Sequence, residues 1–230
     1  MAAVGPGPVA TREYVPGDAK ETKTKVLESG ASILQSFAPV NKIHQHLCAF
    51  HGYGHDMSRQ VEAHHYCGHV NEDMRQCVIY DSDDANARLI GIEYIISEAL
   101  FMGLPDEEKK LWHSHEYEVK SGILFCPGLP EMAEHAELAK VAKTYGKTFH
   151  FWQFDRGDAL PLGPPQLMMS FTKDGQLHDK LAKDVEERYG VSFAAKKKKR
   201  ADMKGPDLGI HSLADYWEKG KGFQTVVKEM

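Results

Sequence analysis

The longest apolar stretch of this chain, residues 89–104, is interrupted by Glu93 and Glu98. It is shorter than the roughly 20 apolar residues that a membrane-spanning helix needs. Hydrophobic residues make up 42% of the 230 residues and charged residues 27%, which is ordinary for a globular protein. The sequence therefore predicts a soluble globule without a transmembrane segment, in which the apolar residues form an interior.

Helical patterns occur in four parts of the chain. One begins at Pro105, which is followed by three acidic residues, and is predicted to run towards Trp112. Apolar residues recur at three- and four-residue spacing over residues 20–37 and again over 177–189, where Gly190 marks the end of the helix. A further helix is predicted over residues 131–145, with Gly146 as its end signal. Each of the two later helices is followed by a segment that resembles a strand.

Strand patterns lie between and after these helices. Residues 59–81 approach a two-residue period and predict two strands joined around residues 71–74. Residues 89–96 fit a buried strand or a buried helix, since periodicity alone does not separate the two. Residues 148–154 and 167–171 read as strands. Because the order lacks a regular βαβ rhythm, the pattern predicts an α+β fold, with a mixed or antiparallel sheet flanked by helices in a single domain.

Composition divides the chain into three segments. Residues 1–19 are rich in Gly and Pro and have few apolar anchors, which predicts a disordered leader. Residues 20–195 carry the predicted α+β domain. Residues 196–230, a basic segment followed by a polar tail, are predicted to belong to the same domain.

Charge and cysteine usage limit the possible partners and compartment. The formal net charge is -5, which does not indicate a nucleic-acid-binding surface. The four cysteines are scattered without CxxC spacing, and the N-terminus lacks the apolar stretch of a secretory signal. We therefore expect reduced thiols in an intracellular protein.

Histidine is the compositional anomaly of the chain. Of its 13 histidines, seven lie between residues 44 and 69. On strands, the pair His65 and His69 and the pair His113 and His115 each point to a common face, and imidazole is a common metal ligand. These four histidines are the predicted ligands of a transition metal. The alternative is that they are partly buried residues bonded to backbone carbonyls.

Two segments could contact a lipid surface. The basic run at residues 196–200, KKKKR, could pair with anionic headgroups, act as a nuclear import signal, or be a solvated helix end. The amphipathic face of the first helix could cover the core or lie in a lipid interface. We expect core burial, because the polar side of this helix has no strong cationic bias. The residues of that apolar face are Val26, Leu27, Gly30, Ile33, Leu34 and Phe37.

Four long sequence blocks resemble the oil body-associated proteins of plants, a family with relatives in bacteria and fungi. The blocks are VEAHHYCGHVNEDMRQCVIYD, ARLIGIEYIIS, LWHSHEYEVKSG and GKTFHFWQFDRGDALPLGPPQLMMS, and the resemblance runs from about residue 25 to the C-terminus. It implies a protein on or near seed lipid droplets, with a cytoplasmic pool, that contributes to droplet size and stability. It implies as partners the droplet surface or the proteins resident there, and it supplies no catalytic residues.

Three hypotheses about function follow from the residues and the resemblance. The first is a peripheral, non-enzymatic lipid-droplet protein, consistent with the absence of phosphate-loop, nucleophile-elbow and HExxH motifs from the sequence. The second is a metal-dependent enzyme that uses the histidines, with a transition metal as its cofactor. The third is a scaffold that recruits partners and keeps the histidines as hydrogen-bonding residues of its core.

Overall fold

A computed structural model describes residues 15–230 of the chain. The predicted leader lies largely outside the described residues, and its last five, 15–19, are exposed and belong to no helix or strand. The strands are β1 Gln45–Tyr53, β2 Asp56–Asn71, β3 Met74–Tyr80, β4 Leu89–Ser97, β5 His113–Ser114, β6 Thr144–His150 and β7 Gln166–Met169. The α-helices are α1 Thr22–Leu34, α2 Glu98–Met102, α3 Asp106–Lys109, α4 Glu116–Ser121, α5 Glu131–Val141, α6 Asp179–Tyr189 and α7 Phe193–Lys199, and short 3-10 helices cover Val40–Lys42, Phe154–Arg156 and Tyr216–Lys219.

The sheet is antiparallel throughout and closes on itself. Its strand order is β4-β3-β2-β1-β7-β6, and β6 pairs back onto β4, while the short β5 is added beside β6. Successive side chains of a strand point to opposite faces. Each strand of the closed sheet therefore directs every second residue into its interior. The predicted single α+β domain is confirmed, and of the two sheet types left open, the antiparallel one is correct.

Local sequence explains the individual strands. The turn predicted between β2 and β3 is confirmed: the Asn71 side chain accepts a hydrogen bond of 2.9 Å from the backbone N–H of Asp73, which is the Asx turn that asparagine favours. Residues 89–97, which fitted either a strand or a helix, form β4. They pair with β3 on one side and β6 on the other.

Helices α5, α6 and α7 pack against the sheet. Leu138 and Val141 of α5 belong to a buried cluster with residues of β1 and β4. Val185 of α6 and Phe193 of α7 pack with Phe50 of β1. The helix predicted at 177–189 is confirmed as α6, and Gly190 ends it in the left-handed conformation at φ 61°.

The prediction for α5 is wrong at its C-terminal end. The helix stops at Val141, and Gly146 lies inside β6. Gly146 therefore does not terminate the helix. It gives space to buried side chains at the centre of the sheet.

The expectation that α1 covers the core is also wrong. None of its residues is buried, and Ile33 and Leu34 are 82% and 87% exposed. The reason is that the sheet closes without α1, and the buried clusters draw their residues from the sheet and from the helices and loops that follow α1 in the chain.

The expectation of four reduced thiols is wrong for one pair. Cys67 of β2 and Cys77 of β3 stand directly opposite each other in the sheet and form a disulfide, with Cα atoms 4.1 Å apart. Spacing along the chain does not reveal this pairing, since it depends on the strand register. Cys48 and Cys126 are free and buried.

Candidate functional site

The interior of the closed sheet contains a group of histidines around one carboxylate. His51 of β1, His65 of β2, Glu93 of β4 and His150 of β6 occupy inward positions, and each is at most 2% exposed. His113 and His115 come from β5 and the residue after it, and they are equally buried. We call Glu93 and these five histidines the histidine cluster.

His113 and His115 both face the interior because they flank Ser114, whose side chain points to the opposite face of the strand. Ser114 points the other way, and its backbone N–H and hydroxyl donate hydrogen bonds of 2.9 and 2.7 Å to the buried carboxylate of Asp215. His113 and His115 on either side of it therefore both face inwards. Their rings are 5.0 Å apart and nearly perpendicular.

Three imidazole nitrogens converge on the carboxylate of Glu93. His113 Nε2 and His115 Nε2 lie 3.3 and 3.2 Å from Oε1, and His65 Nε2 lies 3.0 Å from Oε2. The contact from His113 does not have the direction of a hydrogen bond. Within residues 15–230, neither ring nitrogen of His113 has a hydrogen-bond partner.

The cluster continues through two further histidines. His51 Nε2 is 3.3 Å from His65 Nε2, and His51 Nδ1 is 3.0 Å from His150 Nε2. Of the atoms that the structure describes, none pairs with Nδ1 of His65 or Nδ1 of His150. Buried polar atoms are usually paired, so this concentration of unpaired nitrogens distinguishes the cluster from ordinary core histidines.

Gly146 makes the convergence possible. A Cβ at this position would lie 2.0 Å from Glu93 Oε1, 2.7 Å from His113 Nε2 and 2.8 Å from His115 Nε2. All three atoms therefore point at the one residue of β6 that has no side chain. Any larger residue would occupy the space in which they meet.

The tautomer of His115 follows from its neighbours. The hydroxyl of Thr144 donates its single proton to the carbonyl of Val141 at 2.7 Å, and it lies 2.9 Å from His115 Nδ1. Because the hydroxyl has no second proton to give, Nδ1 must be the donor in that contact. Nε2 on the other side of the ring lies 3.2 Å from Glu93 Oε1.

Burial and mutual charge set the pKa values in the cluster. Burial alone would raise the pKa of Glu93, but the imidazoles of His113, His115 and His65 hold it well below its usual value. Burial lowers the pKa of His115, and it lowers the pKa of His150 to about 3. Burial also acts to lower the pKa of His113, but the contact with Glu93 and its charge outweigh burial, and the pKa of His113 is raised. The cluster therefore combines an ionised carboxylate with imidazoles of different basicity.

A second carboxyl group adjoins the cluster. Burial raises the pKa of Glu118 to about 8, although His113 and Ser170 oppose the shift. Glu118 is 1% exposed. Near neutral pH it is therefore largely a neutral acid, and Glu93 carries the negative charge.

The predicted ligands do not all meet. The structure brings His65, His113 and His115 together around Glu93, but it places His69 at the partly exposed end of β2. There His69 Nδ1 contacts His44 at 2.8 Å and its Nε2 accepts from Arg75 at 2.9 Å. That these residues bind a metal stays a prediction, and the geometry supports it for three of the four.

Sequence reasoning missed Glu93, His51 and His150 as members of the cluster. Glu93 offered a signal, because a carboxylate in the middle of an otherwise apolar strand needs a buried partner. His51 and His150 gave no comparable signal. Their positions depend on strand register and on closure of the sheet.

Another group of potential ligands lies outside the cluster. Glu62 accepts hydrogen bonds of 2.7 Å from His64 Nε2 and 2.5 Å from Arg188, and Cys48 Sγ lies 3.8 Å away. Because Arg188 already compensates the charge of Glu62, this group forms an ion pair that does not require a cation.

Of the helices within residues 15–230, none combines the length and the apolar character that a bilayer crossing requires. The fold and the cluster define an α+β domain whose closed antiparallel sheet surrounds buried histidines. Its sequence places it in the family described as a protein of unknown function, DUF1264. The sequence profile of that family matches residues 37–204.

Curated relatives carry a more specific name. The chain is 60% identical to oil body-associated protein 1B of Arabidopsis thaliana, over 94% of this chain and 89% of that protein. It is 58% identical to oil body-associated protein 1A of Zea mays, over 94% and 90%, and 46% identical to oil body-associated protein 2A of Arabidopsis thaliana, over 93% and 87%. No solved structure matches the chain significantly. The chain belongs to the oil body-associated protein family, type 1, which confirms the resemblance.

Proposed function

We propose that this protein is a peripheral, non-enzymatic protein of the lipid-droplet surface, with a cytoplasmic pool, that contributes to droplet size and stability. Its relatives are named for oil body association. The observation that carries the proposal is helix α1, whose apolar side chains are exposed along its whole length.

Helix α1 has the exposed apolar face of an interfacial helix, without a strong cationic bias on its polar side. Val26, Leu27, Ile33 and Leu34 are 63–87% exposed, and Phe37 continues the apolar face beyond the helix at 43% exposure. An amphipathic helix of this kind lies in the plane of a lipid interface with its apolar face in the acyl region. A droplet monolayer offers that environment and requires no segment to cross it.

The basic run is a weaker candidate for lipid contact. Lys196, Lys197 and Lys199 form ion pairs of 2.7, 2.6 and 2.5 Å with Glu134, Asp174 and Glu131. Arg200 is 2% exposed. Most of this charge is therefore neutralised within the domain, which favours α1 over an electrostatic attachment.

The histidine cluster favours a metal-dependent enzyme as the second candidate. Its members are at most 2% exposed, so a substrate has no direct access to them from solvent. This burial supports the non-enzymatic role.

A protein partner on the droplet is also compatible with the first proposal, because an exposed apolar helix such as α1 also fits a groove on a resident protein.

Localisation in oil-storing cells tests the proposal. We expect a fluorescent fusion of the full chain to label droplet surfaces with a diffuse cytoplasmic fraction, and loss of the protein to change the distribution of droplet diameters. A fusion that stays entirely diffuse, together with unchanged droplet diameters after loss of the protein, would refute it.

A second fusion that lacks residues 22–37 separates two routes of attachment. If α1 makes the lipid contact, this fusion no longer labels droplets; if the rest of the domain is recruited, it still does.

A further inference from the structure

The strongest unexplained feature of the molecule is the histidine cluster, which a droplet-surface role does not require. We propose that the interior of the closed sheet binds one divalent transition-metal ion through Glu93, His113 and His115. His65 holds the second oxygen of Glu93 and orients the carboxylate. The proposal is independent of the droplet function.

The spacing of the three ligand atoms supports this assignment. Glu93, His113 and His115 each offer one ligand atom, and these atoms lie within 4.8 Å of one another. Metal bonds of about 2.0–2.2 Å to nitrogen and oxygen place neighbouring ligands roughly 3.0–3.5 Å apart. The contacts of 3.3 and 3.2 Å from the two imidazoles to Glu93 Oε1 match that separation.

The hydrogen-bonding pattern gives an independent argument. Thr144 Oγ1 contacts Nδ1 of His115, and this contact leaves Nε2 of the same ring directed at Glu93 Oε1, 3.2 Å away. In a metal-bound imidazole Nε2 is unprotonated, and a cation then fits where its lone pair and the carboxylate oxygen converge. Among the atoms of residues 15–230, His113 Nε2 has no hydrogen-bond partner, although it points into the same space.

The choice of ion follows from the donors. Two imidazoles and one carboxylate suit zinc, iron(II), cobalt(II) and related ions, and they do not suit calcium or magnesium, which prefer oxygen. Neighbouring residues hold two of the ligands in position: Thr144 contacts the ring of His115, and His65 contacts the carboxylate of Glu93. Metal-binding histidines in proteins commonly have such a partner on the other ring nitrogen.

The experiment uses the full chain purified without a histidine tag. Elemental analysis of the purified protein gives the metal content, and cobalt(II) chloride is then titrated into chelator-treated protein while its visible absorption is recorded. We expect one equivalent of cobalt to bind, zinc chloride to displace it, and the melting temperature of the chelator-treated chain to rise on addition of either ion.

Variants assign the ligands. His115→Gln and Glu93→Gln should weaken cobalt binding by more than about 100-fold, beyond the roughly 10–100-fold effect expected of the outer partner in Thr144→Val. His69→Gln is the matched control, because it removes a histidine from the same β2 that carries His65 and should change cobalt affinity by less than about twofold.

The wild-type chain alone decides the proposal if the variants fail to fold. Chelator-treated wild-type protein that binds no cobalt and melts at the same temperature with and without zinc would overturn it. Loss of binding in His51→Gln with retention in His115→Gln would also overturn the assignment, since it would place the ion between His51, His65 and Glu93.

Discussion

Helix α1 provides the most direct test of how this protein meets a lipid surface. The change is Ile33→Ser combined with Leu34→Ser, at the two most exposed positions of the apolar face. Full burial of such a side chain contributes about 1.5–3 kcal/mol. Scaled by their exposed fractions of 82% and 87%, the two together contribute about 2.5–5 kcal/mol of binding. At about 1.4 kcal/mol per factor of ten, the partition coefficient should fall by at least roughly 50-fold.

The assay is flotation with artificial droplets of triacylglycerol coated with a phospholipid monolayer. The matched control is Met132→Ser combined with Leu208→Ser, because these side chains are 87% and 76% exposed but lie outside α1. We expect the control to float like the wild-type chain. Since none of the four side chains is buried, both variants should keep their free energy of unfolding within about 0.5 kcal/mol. Equal flotation of the α1 variant and the wild type, or equal loss in the control, would refute the role of α1.

Three further substitutions test the interior and its charges. Gly146→Ala would place a methyl group 2.0 Å from Glu93 Oε1, and we expect urea unfolding to show a loss of about 1–3 kcal/mol; a fully stable variant would contradict the close packing. Arg200 is buried in an ion pair, so Arg200→Ala should cost about 3–5 kcal/mol, whereas the exposed Lys197→Ala should cost less than about 1 kcal/mol. Equal costs in the same unfolding assay would contradict this difference. Burial lowers the pKa of His46 to about 4, below the value of about 6.5 expected in the unfolded chain. As the pH decreases from about 6.5 to about 4, the unfolded chain therefore binds a proton before the folded chain does, and the free energy of unfolding decreases. The Tm of His46→Gln should drop less than the Tm of the wild type between neutral pH and about pH 4; an equal drop would refute this explanation.

Local signals predicted the elements of this fold well. Gly190 ends α6 because a glycine accepts the left-handed conformation there without steric cost. The two-residue period of β2 and β3 and the turn after Asn71 were also readable, since they depend on neighbours in sequence. The same reasoning failed at Gly146, which does not end α5. This glycine lies in β6 and leaves space for Glu93, His113 and His115.

The candidate site was only half predictable. His65, His113 and His115 stood out by their spacing, but His69 shares the alternation of His65 and still lies at the partly exposed end of the strand. The two-residue alternation predicts the face of the sheet on which a side chain lies. It does not predict whether that position lies in the buried middle of the strand or at its exposed end. His51 and His150 join the cluster because β1 and β6 are brought around the same interior, which no spacing within either strand encodes.

The fate of α1 shows a limit of amphipathic patterns. The stripe of Val26 and Ile33 predicts a helix correctly, but the same stripe fits a core or a lipid interface. The decision rests on whether the remainder of the chain completes its core alone. Here the closed sheet with α5, α6 and α7 does so.

Closure of the sheet also affects how copies of the chain behave when they are concentrated on a surface. Each of its six strands has a hydrogen-bonded neighbour on both sides, because β4 and β6 pair with each other. Exposed strand edges are the usual route by which crowded proteins join into continuous sheets. Closure therefore leaves this domain fewer unpaired strand edges through which a second copy could extend the sheet.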